Sequence, residues 1–328
     1  MQDILMPIGD PNGIGPEIAV KAALSSEPGL PRLLLIGDEH VIAHYGEDAP
    51  RRIVTPGALP PYTPGVIDLV PSKSIAPADF TPGQCGPASG RATIAYVETA
   101  FATARAGLGK AIVACPHNET AVNAAGIPFT GYPSLIARIA GISPDAVFLM
   151  LVGAGLRIVH VTLHERLAGA LARIDSDLVV AAGLAAHEAV RGLGIEHPRL
   201  GIFGINPHAG EGGLFGDDDA RITFTAAETL KAKGIKVAPP AGSDLLLSER
   251  KCDVYLAMFH DQGHIPIKLL AGRSSAALSI GAGSLFASVG HGSAPDIAGK
   301  GVASPAPLIS TLKLIASAIA PQEKVTAV

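Results

Sequence analysis

Three histidines stand just past three apolar runs that have the composition of buried strands. The runs LRIVHVTLH, RLGIFGINPH and VYLAMFH end in His164, His208 and His260. Ligands of open α/β sheets bind outside the carboxyl ends of the strands, so these imidazoles are candidates for a His₃ divalent-metal site with open positions for a substrate. A neighbouring carboxylate would orient such imidazoles. The candidates are Glu165, Glu211 and Asp261.

The stretch 256–268, LAMFHDQGHIPIK, places two imidazoles, a carboxylate and an amine within nine residues. It is either a polar surface turn or one wall of an active site. His160 lies inside a predicted strand and is interpreted as a hydrogen-bonded core histidine, while His264 is expected to face solvent. Because the sequence does not give the strand order, the three strand ends need not be adjacent.

Short apolar runs alternate with Ala-rich segments of helical period, which predicts an α/β chain with a largely parallel sheet. The predicted strands are Asp3–Ile8, Arg32–Ile36, Lys110–Cys115, Leu156–Thr162, Arg199–Ile205 and Val254–Met258. The predicted helices are Pro16–Ala23, Ala92–Ala106, Ser134–Ile139, Asp219–Lys233 and Pro307–Ala318. The Pro/Gly-rich stretch 56–83 is interpreted as a long irregular excursion. Residues 1–328 are expected to form one catalytic unit of two interleaved lobes.

Two glycine-rich stretches are candidates for binding a ligand through the backbone. GDPNGIGPEI (Gly9–Ile18) follows a strand and opens a helix, but it contains neither a Walker A loop nor a complete GxGxxG pattern. GHGSAPDIAGKGVASP (Gly290–Pro305) has small residues that let a flat ligand approach the backbone. Within it, His291 offers a ring for stacking and Asp296 offers hydrogen-bond acceptors.

Composition bounds the class of protein. Of 328 residues, 48% are hydrophobic and 16% are charged, and the formal net charge is −4 (25 basic minus 29 acidic residues). Nothing in this balance favours nucleic acid or an anionic membrane as a partner. Three scattered cysteines and an N-terminus without signal-peptide features indicate a soluble cytoplasmic protein with reduced thiols.

Taken together, these motifs resemble a known family. HGSAPDIAGKGVASP resembles the adenine-side NAD loop of isocitrate and isopropylmalate dehydrogenases, while GDPNGIGPEI, NPHAGEGG and HDQGHIPIK resemble the 4-hydroxythreonine-4-phosphate dehydrogenase (PdxA-like) family. The resemblance implies a three-layer α/β/α fold of two lobes with an active-site cleft, a homodimer, NAD, and a divalent metal, usually zinc. It implies His164, His208 and His260 as metal ligands and Lys268 as a substrate contact. The NAD-binding residues that it implies are His291, Gly292, Ser293, Ala294 and Asp296.

Departures from the phosphate-substrate enzymes are as informative as the matches. Their Gly-His-Thr-Glu segment is Gly-Tyr-Pro-Ser here, at 131–134, and their Pro-Ile-Asn-Lys is Pro-His-Asn-Glu, at 116–119. Their substrate-binding asparagine and arginine fall at Ala277 and Phe286. A phosphate needs charge-assisted donors, so a less cationic pocket favours a cyclic substrate. The segments ACPHNETAVNAAGIPFTGYPSL and FLMLVGAGLRIVHVTLHERL resemble the terephthalate dihydrodiol dehydrogenase branch, with Asn118, Tyr132, Ser134 and Lys268 as substrate contacts.

The resemblance therefore predicts NAD-dependent oxidative decarboxylation of 1,2-dihydroxy-3,5-cyclohexadiene-1,4-dicarboxylate to protocatechuate. The catalytic base stays open among Lys268, Asp261 and Asp244. The alternative substrate is 4-hydroxythreonine 4-phosphate or a phosphorylated four-carbon sugar acid. Two rivals from other classes are a His₃ metallohydrolase or lyase without a nucleotide and a catalytically inactive binding relative.

Overall fold

The computed structural model describes residues 3–109, 111–272, 275–283 and 285–319. The chain divides into two compact units, Met1–Gly131 with Leu285–Val328 and Tyr132–Ser284. The strands, in chain order, are β1 Asp3–Pro7, β2 Arg32–Gly37, β3 Arg51–Ile53, β4 Ile67–Pro71, β5 Ala111–Ala114, β6 Phe148–Gly153, β7 Leu156–His160, β8 Arg199–Ile202, β9 Lys236–Val237, β10 Val254–Ala257, β11 Ala276–Ile280 and β12 Phe286–Val289.

Helices separate most of these strands. They are α1 Gly15–Ala23, α2 Glu39–Tyr45, α3 Pro87–Arg105, α4 Glu119–Ala124, α5 Tyr132–Ala140, α6 Leu167–Arg173, α7 Ser176–Gly192, α8 Thr225–Ala232, α9 Ser243–Glu249, α10 His260–Ala271 and α11 Ala306–Ile319. A π-helical turn, Ala220–Phe224, precedes α8 and completes the predicted helix 219–233. Among the described residues, no helix is both long and apolar enough to cross a membrane.

The first unit contains an all-parallel sheet in the order β3-β4-β2-β1-β5-β12. Strands β1 and β2 are almost wholly buried, as expected for parallel strands covered on both faces. Helix α3 packs on β1, β2 and β5, and α11 packs on β5 and β12. The predicted α/β class is confirmed here, and the predicted strand Lys110–Cys115 appears as β5, although Lys110 lies outside the described residues.

One prediction for this unit is wrong. The stretch 56–83 is not wholly irregular, because it contains β4, which lies between β3 and β2 in the sheet. The run was missed because Asp68 interrupts its apolar pattern. That carboxylate is 2% exposed and makes ion pairs with Arg32, at 2.8 Å, and with Arg52. A buried carboxylate is tolerated when it is paired in this way.

The second unit contains a mixed sheet in the order β11-β6-β7-β10-β8-β9. Strand β6 is antiparallel to both of its neighbours, β7 and β11, whereas β7, β10, β8 and β9 run parallel to one another. Helices α7 and α10 both pack on β6, β7 and β10. The apolar core around Ile158, Phe203, Tyr255 and Ile267 is fully buried and fixes α10 against the sheet.

Candidate active site

Two of the three strand-end histidines meet in the second unit. Strand β7 pairs in parallel with β10, with Ala257 opposite His160, so the segments that follow the two strands leave the sheet at the same edge. His164 lies four residues after the end of β7, and His260, the first residue of α10, lies three residues after the end of β10. Their ring centroids are 5.4 Å apart. The argument from the carboxyl ends of parallel strands therefore places this pair correctly.

The stretch HDQGHIPIK forms the first part of α10 rather than a turn. Residues four apart share a face of a helix, so His260, His264 and Lys268 project from one side of α10. Contrary to expectation, His264 is half-buried rather than solvent-facing. Its ring stacks on His260 at a centroid distance of 3.7 Å and an interplanar angle of 13°.

His208 lies in a left-handed turn. Residues 208–212 all have positive φ, with φ of 53° at His208, 54° at Ala209 and 44° at Glu211. Each residue with a side chain in this region costs about 1–2 kcal/mol relative to the right-handed conformation. The Asp219 carboxylate anchors the residues just before this turn, because it accepts hydrogen bonds from the backbone N–H groups of Ile205 and Asn206, at 2.8 and 2.9 Å. The turn leaves the His208 side chain 67% exposed.

Carboxylates bind two of the three predicted ligands. His260 Nδ1 lies 2.7 Å from Asp261 Oδ1, and His208 Nδ1 lies 2.7 Å from Glu211 Oε2. An imidazole that donates Nδ1–H to a carboxylate keeps the lone pair of Nε2, which is the form that binds metal ions. The third carboxylate candidate, Glu165, makes an ion pair with Arg173 at 2.6 Å. The chemistry of these donors fits a divalent metal.

The three imidazoles do not form one cluster in a single chain. Within the described ranges, no group of three or more His, Cys, Asp or Glu side chains is placed to hold a metal ion. His208 instead neighbours the start of α9, where a Cβ built on Gly242 would lie 3.9 Å from the His208 Cα and 2.6 Å from Asp244 Oδ1. Asp244, a candidate base, is therefore on the His208 side of the unit.

An open cavity of about 730 Å³ adjoins the histidine pair. Its lining includes His164, Glu165, Phe259, His260 and Asp261. Lys268, a second candidate base, donates a hydrogen bond from Nζ to Ser275 Oγ at 3.0 Å. Desolvation lowers the pKa of the Lys268 ammonium. Asp261 already accepts a hydrogen bond from His260, so among the candidate bases it is the one already engaged in orienting a ligand.

The predicted NAD-binding loop lies in the first unit and packs on the first glycine-rich turn. The backbone N–H of Ile14 donates to the carbonyl of Ser293 at 2.8 Å. A Cβ on Gly13 would lie 2.7 Å from the Ser293 Cβ, so glycine is required for this approach. Ser293 is buried, Ala294 has a φ of 39°, and His291, Gly292 and Asp296 remain at least partly accessible. The role of this loop in binding NAD stays a prediction.

The predicted substrate residues fall in both units. Asn118 caps α4, since its Oδ1 accepts from the Ala121 N–H at 2.9 Å, and its Nδ2 donates to Ser293 Oγ at 3.2 Å. Tyr132 and Ser134 lie in the first turn of α5 in the second unit, where Tyr132 is buried and Ser134 is half-buried. Lys268 lies on α10. The Asn118–Ser293 hydrogen bond links the predicted substrate and cofactor residues within the first unit.

Sequence reasoning missed one part of the site. His160, 1% exposed, is the expected core histidine, but its Nε2 lies 2.9 Å from Nδ1 of His264. A signal was present: His160 and His164 are four apart, and so are His260 and His264. The pairing itself depends on α10 packing against β7, which no local pattern reveals.

Comparison with known proteins places this α/β chain with its histidine-lined site among the dehydrogenases. The chain belongs to the PdxA family, whose profile, pyridoxal phosphate biosynthetic protein PdxA, matches residues 31–315. It is 47% identical over 320 residues to a 1,2-dihydroxy-3,5-cyclohexadiene-1,4-dicarboxylate dehydrogenase from Comamonas sp., covering 95% of this chain and 96% of the relative.

Solved structures agree with this assignment. The terephthalate 1,2-cis-dihydrodiol dehydrogenase of Burkholderia xenovorans LB400 is 51% identical, with a TM-score of 0.77 over 96% of this chain and 98% of that one. The 4-hydroxythreonine-4-phosphate dehydrogenase of Klebsiella pneumoniae is 29% identical, with a TM-score of 0.87 over 98% of this chain and 100% of that one. The resemblance inferred from the motifs is confirmed, and the relatives identify an oxidoreductase.

Proposed function

We propose that this protein is an NAD- and metal-dependent dehydrogenase that converts 1,2-dihydroxy-3,5-cyclohexadiene-1,4-dicarboxylate to protocatechuate. The secondary alcohol loses a hydride to NAD⁺ and a proton to a base. The resulting ketone lies β to the carboxylate on C1, so CO₂ leaves and the ring becomes aromatic. The enolate oxygen left at C2 by the loss of CO₂ takes the proton back from the base, so the products are protocatechuate, CO₂ and NADH.

The observation that carries this proposal is the set of residues that occupy the phosphate-binding positions of the related enzymes. The resemblance aligns Phe286 with a substrate-binding arginine, and Phe286 is 0% exposed and stacks on Phe101 at a centroid distance of 5.9 Å. This position is now part of the apolar core of the first unit. Glu119 adds an exposed carboxylate at the start of α4, where an anionic phosphate would be repelled. Identities of 47% and 51% to dihydrodiol dehydrogenases support the same choice.

The ligand set supports a metal shared between two copies of the chain. His164 and His260 are adjacent in one chain, and each of His260 and His208 has its Nδ1 held by a carboxylate. Since the described residues of a single chain do not bring the three together, His208 of a second copy would complete the set in the homodimer that the resemblance predicts. When bound, a divalent ion would lower the pKa of a substrate hydroxyl, and NAD would accept the hydride.

The chain's own residues orient and charge-balance the substrate. Asp261 holds the His260 ring, and Lys268 supplies a cation for a substrate carboxylate or, after losing its proton, a base. Asn118, Tyr132 and Ser134 are the proposed polar contacts to the remaining substrate oxygens. The loop at 291–296 would hold NAD, its buried Ser293 fixing the loop against Asn118.

The deciding experiment is NADH formation, followed by absorbance, with the metal-loaded enzyme. The cis-dihydrodiol of terephthalate and 4-hydroxythreonine 4-phosphate are compared at equal concentrations. Turnover of the dihydrodiol alone, with one protocatechuate and one CO₂ per NADH, is the expected result. Turnover of the phosphate ester alone would replace this proposal with the alternative substrate. A thermal unfolding midpoint raised by NAD⁺ separates both from a nucleotide-free metallohydrolase.

A further inference from the structure

Behind the histidine pair lies a second pair, His160 and His264, that the proposed chemistry does not use. His160 ends β7 and is almost completely buried. Its Nδ1 lies 3.3 Å from the carbonyl oxygen of Leu149, the residue opposite it in the β6–β7 ladder. Its Nε2 lies 2.9 Å from Nδ1 of His264.

The hydrogen bonds fix which ring nitrogens carry hydrogen. A carbonyl oxygen only accepts, so His160 Nδ1 must be the donor to Leu149. His160 is almost completely buried, and in a neutral ring that carries its hydrogen on Nδ1 the lone pair lies on Nε2. The hydrogen between the two rings therefore belongs to His264 Nδ1. This series of hydrogen bonds ends at the Leu149 carbonyl, which cannot take up a proton. The two histidines therefore fix each other's ring orientation and do not relay protons.

The hydrogen bond between His160 and His264 depends on a residue without a side chain, Gly263. A Cβ built on Gly263 would lie only 2.5 Å from His160 Nε2 and 3.0 Å from the Ala257 Cβ. Gly263 is buried in α10, which packs on β7 and β10. With glycine at this position, the first turns of α10 lie close enough to β7 for the hydrogen bond between His160 and His264.

His264 transmits this geometry to a predicted metal ligand. Its ring is nearly parallel to that of His260 and the two ring centroids are 3.7 Å apart, so the rings are in van der Waals contact face to face. Asp261 fixes the tautomer of His260 through Nδ1, but one hydrogen bond leaves the ring free to tilt about it. The stacked His264 ring blocks this motion from one side. His264 does not itself line the 730 Å³ cavity, whereas His260 does.

We propose that His264, locked by its hydrogen bond to His160, is the positioning residue that holds the His260 ring at the angle needed to bind the metal. The inference rests on the proposed metal-dependent function and adds two residues to it. Groups that support a metal-binding histidine from behind typically contribute 10–100-fold to metal affinity. Loss of the lock should therefore weaken metal binding before it changes the fold.

The test measures Zn²⁺ affinity by chelator competition in four variants of the full-length enzyme. H160L removes the acceptor and H264L removes the stacked ring, and each should lower Zn²⁺ affinity about 10–100-fold. H160Q keeps an acceptor oxygen near the place of Nε2 and should return the affinity most of the way to the wild-type value. The matched control is H197L, at an exposed histidine outside the cluster.

Two spectroscopic signatures separate positioning from a general structural effect. With ¹⁵N-labelled histidine, the metal-free wild type should show His264 protonated at Nδ1 and not at Nε2. In the Co²⁺-substituted protein, the visible spectrum should change in H160L and H264L and be restored in H160Q. Thermal unfolding of each variant shows whether it is folded. If H160L does not fold, the test rests on H264L, because His264 is only half-buried.

Wild-type Zn²⁺ affinity in folded H264L, or a His264 ring protonated at Nε2, would overturn the inference. Failure of the proposed function looks different. In that case the dihydrodiol would not be oxidised, although the ¹⁵N spectrum and the ordering of Zn²⁺ affinities would still hold.

Discussion

His260 and His264 lie one turn apart on α10 with their rings stacked 3.7 Å apart, so a predicted metal ligand rests on a second imidazole. The second ring is anchored in turn to the buried His160 at the end of β7. This links the site to the sheet through side chains as well as through the backbone. The geometry of the site should therefore respond to changes in packing beneath α10.

Substitution of Gly263 by alanine should destabilise the protein and disturb the histidine site together. The new Cβ would lie 2.5 Å from His160 Nε2, and overpacking of this kind costs about 1–3 kcal/mol. The free energy of unfolding, measured with urea, and Zn²⁺ affinity should both fall.

The control for this substitution is Gly169→Ala in α6, where a Cβ would meet nothing within 4 Å. Alanine in a helix interior is favoured over glycine by about 1 kcal/mol, so this variant should be equally or more stable. If Gly263→Ala were as stable as Gly169→Ala, the close packing of α10 on β7 would be wrong.

Glu211 should show opposite effects on stability and on metal affinity. Its φ of 44° is left-handed and its carboxylate binds His208 Nδ1 at 2.7 Å. Glu211→Gly relieves about 1–2 kcal/mol of backbone strain but removes the partner of His208, so stability should hold or rise while Zn²⁺ affinity drops. Glu211→Gln keeps the strained backbone and should not gain stability. If Glu211→Gly lowered both the stability and the Zn²⁺ affinity, the backbone at Glu211 would not be strained.

The ligands predicted to come from different chains should complement each other in mixed dimers. H208A and H260A, each inactive alone, should regain about a quarter of wild-type activity after unfolding and refolding together, because half of the dimers are mixed and each mixed dimer has one intact site. H164A mixed with H260A is the control, because these histidines lie together in one chain. Recovery in the control and none in the first mixture would mean that His208 and His260 belong to the same chain.

Lys268 variants should distinguish a carboxylate contact from a catalytic base. Arginine pairs with carboxylates but cannot act as a base at neutral pH. If Lys268 binds a substrate carboxylate, K268R should keep measurable kcat with a raised KM, while K268M should lose most of kcat/KM. Loss of kcat to the same level in both variants would identify Lys268 as the base.

Protonation of His117 should lower the free energy of unfolding in mild acid. Burial lowers the pKa of His117 from its ordinary value of 6.5, although Glu119, whose Oε1 lies 3.7 Å away, opposes the shift. The unfolded chain then binds more protons than the folded one below pH 6.5, so this contribution to stability is complete above that pH and is lost as the pH falls toward the folded pKa. Urea unfolding at pH 7.5 and pH 5 should show a smaller loss for H117Q than for the wild type. Equal losses would mean that His117 is not buried as a neutral ring.

Much of this protein could be read from local patterns. The α/β class, the strand predicted at Asp3–Ile8 and the helix predicted at Ala92–Ala106 follow from apolar period, which acts over one or two turns, although the helix begins earlier, at Pro87. The same reasoning located His164 and His260 at strand ends, and it found the loop around Ser293 from its small residues. It failed for β4, whose buried Asp68 depends on Arg32, 36 positions away along the chain.

Only the tertiary structure decided how the histidines are arranged. Pro266 argues against a helix, since proline inside one costs about 3 kcal/mol, yet α10 continues through it because Ile267 is buried in the core of the second unit. The order of β7 and β10 brought His164 to His260, and α10 brought His264 to His160. These contacts join residues about 100 positions apart. Residue types and short spacings therefore named the candidate ligands, while long-range packing chose which of them meet in one chain.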